Sequence, residues 1–181
     1  PEKRYKWSDI GNGELFSDVF RNRVRYNVTA KEWYQYTGKI WTMDTGGMIA
    51  SSCAQELQKA LLIYATTIED ADLRDKYIDY VRGLGQNGRR KRMLDDARAH
   101  NYISADDLDT DPMILNTQNA VLDLRTWHIM PHSPDLMLSR ICNVNYDPNA
   151  KGERWTRFIS EVMQENQEKA DYLQRVCGYA L

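Results

Sequence analysis

Glu32-Trp33-Tyr34-Gln35-Tyr36-Thr37-Gly38-Lys39-Ile40-Trp41-Thr42-Met43, followed after Gly46-Gly47 by Ile49, Cys53, Leu57, Ala60, Leu61 and Tyr64, decides the fold class. The first stretch is two aromatic, β-prone runs meeting at Thr37-Gly38, the mark of a β-hairpin with a two-residue turn. Pairing Tyr36 with Lys39 sets Tyr34, Tyr36, Trp41 and Met43 on one face and Trp33, Gln35, Ile40 and Thr42 on the other. The second stretch repeats its apolar residues at three- and four-residue steps, the stripe of an amphipathic helix. Hairpin and helix together predict an α+β fold.

Upstream, the apolar spacing from Leu15 to Phe20 suits a short helix. Downstream, Leu73, Tyr77, Tyr80 and Leu84 mark a second long helix, with Glu69, Asp70 and Asp72 near its start, where the helix dipole favours acids. Gly83-Leu84-Gly85-Gln86-Asn87-Gly88 ends it, and a third, basic helix runs from near Asn87 to about His100, burying Met93, Leu94 and Ala97. An acidic stretch (Asp106, Asp107, Asp109, Asp111) leads to four β-like runs: Met113–Leu115, Ala120–Leu124, Trp127–Met130 and Leu138–Ile141. These predict a small antiparallel sheet. Past Asp147-Pro148-Asn149, Trp155, Phe158, Ile159 and Val162, then Ala170, Leu173, Val176 and Cys177, predict two closing helices. The expected architecture is a helix-rich body with an N-terminal hairpin and a small antiparallel sheet, in one domain over residues 1–181.

Composition excludes several classes. With 181 residues, 42% hydrophobic and 28% charged at a formal net charge of −2, the chain has the make-up of a folded globular domain. Cys53, Cys142 and Cys177 are odd in number and far apart, so neither a disulfide framework nor a zinc knuckle is indicated, and a reducing, cytoplasmic compartment is expected. No apolar run spans a bilayer, and Glu2, Lys3, Arg4, Lys6 and Asp9 stand where a signal peptide needs apolar residues. The chain opens at Pro1 and closes at Gly178-Tyr179-Ala180-Leu181 within a helical pattern, so it is expected to be a piece of something longer.

Catalytic chemistry finds no foothold. Gly83-x-Gly85-x-x-Gly88 spells a dinucleotide fingerprint, but a helix precedes it where the motif needs a strand. Gly85-Gln86-Asn87-Gly88 also has the G-x-x-G form that clamps single strands in KH domains, against the plainer reading of a glycine-rich helix connection. His128 and His132 are separated by Pro131, and the acidic stretch lacks the glycine and twelfth-position glutamate of a calcium loop, which favours a capping role. No phosphate loop, nucleophile elbow or zinc-protease motif occurs.

The informative feature is Arg89-Arg90-Lys91-Arg92. Four cations at a helix start oppose the helix dipole, and Arg82 to Arg98 carries a local charge of +4 in a net-acidic chain. Charge alone leaves two readings open: contact with DNA phosphates, or a solvated face paired with the acidic stretch. Tyr34, Tyr36 and Trp41 are candidate platforms for stacking bases, but a hairpin must bury one face, which favours core packing.

Asp109-Thr110-Asp111-Pro112-Met113-Ile114-Leu115-Asn116-x-x-Asn119-Ala120-Val121-Leu122-Asp123-Leu124-Arg125-Thr126, with Met130-Pro131-His132, resembles the domain preceding the superfamily-three helicase motor of phage, plasmid and poxvirus-type primase-helicases. Tyr146-Asp147-Pro148-Asn149-Ala150, Trp155-Thr156-Arg157-Phe158 and Tyr172-Leu173-Gln174-Arg175-Val176-Cys177-Gly178-Tyr179-Ala180-Leu181 continue the pattern. Ala120 and Trp127 stand where the family has glycine, and Trp127 predicts a different turn or register at Arg125 to His128, since a left-handed residue is costly as Trp. The resemblance implies an accessory collar domain ending just before an ATPase motor, without chemistry of its own. It implies that ATP and magnesium belong to the parent's motor, that the parent unwinds DNA as a hexamer, and that a viral or prophage protein acts in the bacterial cytoplasm. The implied partners are single-stranded or forked DNA and the motor in cis. Arg89, Arg90, Lys91 and Arg92 are the candidate DNA contacts, with Lys6, Arg21, Arg23 and Arg25 as further ones; the alternative is a docking module for ring assembly without DNA contact.

Overall fold

Ser8 begins the first helix: its side chain accepts a hydrogen bond from the Gly11 amide at 3.1 Å, capping α1 (Asp9–Phe20). The computed structural model describes residues 5–179. Glu2, Lys3 and Arg4, and Ala180 and Leu181 of the closing motif, lie outside the described residues. The helix starts well before the Leu15 expected from spacing, because its glycines have packing reasons that outweigh their poor helix propensity. A Cβ at Gly13 would stand 2.7 Å from the Asp96 Cβ and 2.9 Å from the Ala97 amide nitrogen, so only glycine lets α4 (Asn87–Ala97) lie this close. Ser17 Oγ completes the contact, 2.8 Å from the Gly13 carbonyl and 3.2 Å from that of Ala97.

The chain forms two compact units, the first made of residues 1–112 and 132–141. Its sheet has the order β3-β2-β1-β4, from β1 (Val24–Asn27), β2 (Glu32–Tyr36), β3 (Trp41–Met43) and β4 (Tyr102–Ile103). The hairpin β2-β3 is present, but Tyr36 pairs with Trp41 where the two-residue turn required Lys39. The connection is Thr37 to Ile40: the Thr37 hydroxyl and amide both reach Ile40 O, at 3.1 and 2.9 Å, and Gly38 takes φ +95°. A two-residue primed turn needs positive φ at Thr37, which a β-branched residue resists. Because the register moves by two, the facing sets survive.

Both sheet faces of this unit are covered. Trp33 packs with Phe16, Phe20, Cys53, Leu57 and Met93, the core between sheet and helices. Trp41, on the opposite face, is 1% exposed, and its amide and indole nitrogens donate to Leu138 O at 2.7 Å and Pro134 O at 2.9 Å. The Leu138–Ile141 run is therefore no strand of the second sheet; it is an extended cover over Trp41. Helix α2 (Met48–Ala65) is capped from a distance by Asp44, whose buried carboxylate accepts from the amides of Ile49 at 3.0 Å and Ala50 at 2.9 Å. Helix α3 (Ala71–Leu84) follows, with Asp70 as its cap, accepting from Leu73 at 3.0 Å.

The second unit holds residues 113–131 and 142–181. Its sheet is the antiparallel meander β5 (Ile114–Asn116), β6 (Val121–Asp123) and β7 (His128–Met130). Asn119 ties the next segment to it: Nδ2 donates to Tyr146 O at 2.9 Å and Oδ1 accepts from the Tyr146 amide at 2.8 Å, as a strand neighbour would. The expected alternative turn at Arg125 to His128 is not used. Trp127 takes the left-handed conformation itself, at φ +58°, with its amide 2.7 Å from Asp123 O and its ring in solvent. Helices α5 (Glu153–Val162) and α6 (Gln167–Tyr179) close the chain as predicted, but Trp155, Phe158 and Val162 are exposed.

Candidate nucleic-acid interface

Two residues, Gly85 and Gln86, separate α3 from α4, so the glycine-rich stretch is a helix-to-helix corner, as its plainer reading held. Gln86, the residue before the helix, makes no side-chain cap, and no acid lies in the first turn. The amides at that end are thus without a side-chain acceptor, and the dipole's positive end coincides with four cations.

The four side chains diverge, as successive residues on a helix must. Arg90 turns back into the corner, its Nη1 donating to Gly85 O while its Nε is buried. Arg89 is half-buried against Gly83; a Cβ there would lie 2.5 Å from the Arg89 Nη1, so the glycine makes room for the guanidinium. Lys91 is exposed. Arg92 is exposed and pairs with Asp9 at 2.9 Å, on α1, rather than with the acidic stretch. A surface pair of this kind contributes about 0.2–1 kcal/mol and leaves the guanidinium accessible. Of the acidic stretch, Asp107 caps, accepting from the Ser104 amide and hydroxyl, which hold its carboxyl below the usual range, while Asp109 accepts from the distant Ser139 amide at 2.8 Å.

The second group of basic residues lies elsewhere. Asp9 meets Arg92, Gly13 meets Asp96 and Ser17 meets Ala97, so α1 and α4 run in parallel and the cationic end of α4 faces the start of α1. Arg21, Arg23 and Arg25 follow the other end, about 18 Å along a helix of twelve residues. Arg23 is held by Glu56 at 2.8 Å, which raises its already high pKa. Arg25 lies 5.3 Å over the Trp41 ring, and burial, reinforced by Arg21, lowers its pKa. Lys6, exposed and next to Trp7, is at the α4 end instead.

Sequence reading missed a neighbour of that end. Trp7 stacks on Tyr80, ring centroids 5.6 Å apart at 19°, and leans on Tyr77 at 4.9 Å. Tyr77 in turn meets Tyr64 edge-on at 5.9 Å. Burial raises the Tyr80 pKa, and the Arg89 guanidinium packs against Gly83, one turn beyond Tyr80 on α3. Tyr77 and Tyr80 read from sequence as a buried helix face; the signal overlooked was Trp7, the large aromatic just before the Ser8 cap. The hairpin aromatics, by contrast, are core: Trp41 is sealed and Tyr36 packs on it at 5.5 Å.

Among the described residues no group of three or more His, Cys, Asp or Glu is placed to hold a metal ion, and no helix is long and apolar enough to cross a membrane. A comparison with curated proteins finds no match. The family model described as D5 N terminal like does match, over residues 13–164. That span runs from the glycine that brings α1 against α4, through the basic corner and the Asn119 clamp, to the end of α5. By this match the chain belongs to the D5 N-terminal-like family, the N-terminal domain of D5-type primase-helicases.

Proposed function

We propose that this chain is an accessory DNA-contacting domain of a viral or prophage replicative primase-helicase, with no chemistry of its own. The observation that carries the reading is the start of α4: an uncapped helix end with no acid in its first turn, surrounded by Arg89, Lys91 and Arg92. Such an end is costly in isolation, and a phosphate there would both accept from the amides of Asn87 and Gly88, ahead of those of Arg89 and Arg90 that reach Gln86 O, and offset the cations. Arg90 holds the corner shape and Arg89, Lys91 and Arg92 meet the backbone. ATP and magnesium act in the parent's motor, which would work as a hexamer in the bacterial cytoplasm.

The test is fluorescence anisotropy of labelled DNA across a salt series, for the chain and for an Arg89→Gln, Lys91→Gln double variant. Wild type should lose affinity steeply with salt. The variant should bind more weakly on every sequence and flatten the log–log slope by about 2, one per lost phosphate contact. An unchanged slope removes α4 from the interface.

A second reading, protein docking in ring assembly, is favoured by α5, where Trp155, Phe158 and Val162 are 60%, 51% and 55% exposed. A Phe158→Glu variant that keeps DNA affinity but loses self-association would support that role for this helix.

A further inference from the structure

We propose that Trp7 is a base-stacking platform, so that the nucleic acid met at the start of α4 is a single strand whose exposed bases lie on this ring; the proposal rests on the phosphate-contacting role of α4 above. Trp7 is backed on one side by Tyr80 and Tyr77, yet remains 47% exposed. Its position is set by backbone rather than by burial. Ser8 caps α1 immediately after it, the Tyr80 hydroxyl reaches Ser8 O at 3.5 Å, and Gly11 lets the Lys6 carbonyl approach where a Cβ would stand only 2.1 Å from it. A ring that merely sealed α3 against α1 would be covered; this one is braced from behind and open in front.

The charge around it fits the occupant. Lys6 is its neighbour in sequence, Arg89 packs against Gly83, one turn beyond Tyr80 on α3, and Arg92 is tied to Asp9, two residues beyond Trp7. The nearby acid is therefore already engaged by a cation, and the exposed Lys91 adds to the same end. Cations flanking an open aromatic ring are what single strands require, since phosphates and base faces must be met together. A duplex hides its base faces, and an acidic protein would meet the cations without using the ring.

The experiment uses the 181-residue chain with three labelled ligands: oligo-dT of about a dozen nucleotides, within the usual site sizes for such proteins, an abasic oligomer of equal length, and a duplex. Wild type should bind oligo-dT more tightly than the abasic oligomer, although both carry the same phosphates. Trp7→Leu, which keeps an apolar cover on Tyr77, should weaken oligo-dT binding by about 5- to 100-fold, leave abasic and duplex affinities unchanged, and keep the salt slope. Trp7→Phe should restore most of the loss. Equal wild-type affinity for oligo-dT and the abasic oligomer overturns the proposal without any variant. So does equal weakening of all three ligands by Trp7→Leu, the mark of a structural role. Salt-dependent binding that ignores Trp7 overturns only the stacking platform; no binding to any ligand at low salt overturns the phosphate reading with it.

Discussion

Trp127 shows how a single residue can keep a turn at its own expense. It occupies a left-handed position at φ +58°, where glycine is comfortable and a side chain costs about 1–2 kcal/mol. The ring recovers little, being 67% exposed. Trp127→Gly should therefore stabilise the chain by up to about 1 kcal/mol, after the larger unfolded-state entropy of glycine is offset, and raise the melting midpoint by about 2–4 °C. Trp127→Ala keeps the strained dihedral and should leave the midpoint near that of wild type, measured by circular dichroism. Sequence reading saw the conflict and resolved it the wrong way, because propensity ranks a residue's preference and says nothing of the Asp123 carbonyl that fixes the turn from outside. The same limit applies to Arg89 through Arg92. A run of cations is visible in sequence, but which of them turn inward depends on carbonyls and glycines that only the α3-to-α4 corner brings near.

Among elements, helices with an amphipathic stripe and the short strands bounded by turn residues, β2, β3 and β5 to β7, were legible, while β1 and β4 were not. Helices α2 through α6 follow from three- and four-residue steps, whereas β1 and the two-residue β4 carry too few positions for a period to show. The hairpin's faces could be read while its register could not, since a shift of two preserves alternation and the turn is decided by backbone angles at Thr37 and Gly38. Helix α1 was half-hidden because Gly11 and Gly13 argue against a helix until the close approach of α4 is known. Gly13→Ala tests that account. The added methyl would meet backbone at Ala97 and the Asp96 Cβ, neither of which can rotate away, so the variant should lose about 1–3 kcal/mol in denaturant melts. A loss below about 0.5 kcal/mol, the ordinary intrinsic gain or loss at a surface helix position, would mean that the two helices separate freely.

At the scale of the whole molecule, the chain leaves its first unit at Pro112, builds the β5-β6-β7 meander, returns for residues 132–141, and leaves again. Nothing in sequence announced this return. Leu138–Ile141 has the composition of a strand, and only the use of the Leu138 carbonyl by the Trp41 amide reveals it as a cover for a different sheet. A chain ending at Pro112 should accordingly leave the Trp41 indole N–H open to exchange with solvent, while one ending at Ile141 protects it; amide and indole hydrogen exchange read the difference. Equal protection in both would place the cover's importance elsewhere. The return also sets a clock on synthesis. Trp41 meets Pro134 across 93 residues, so at about 5–20 residues per second a ribosome needs on the order of 5–20 seconds to deliver the segment that shields it. During that interval the nascent chain carries an aromatic sheet face without the cover that Pro134 and Leu138 later supply, a surface open to aggregation until the segment arrives.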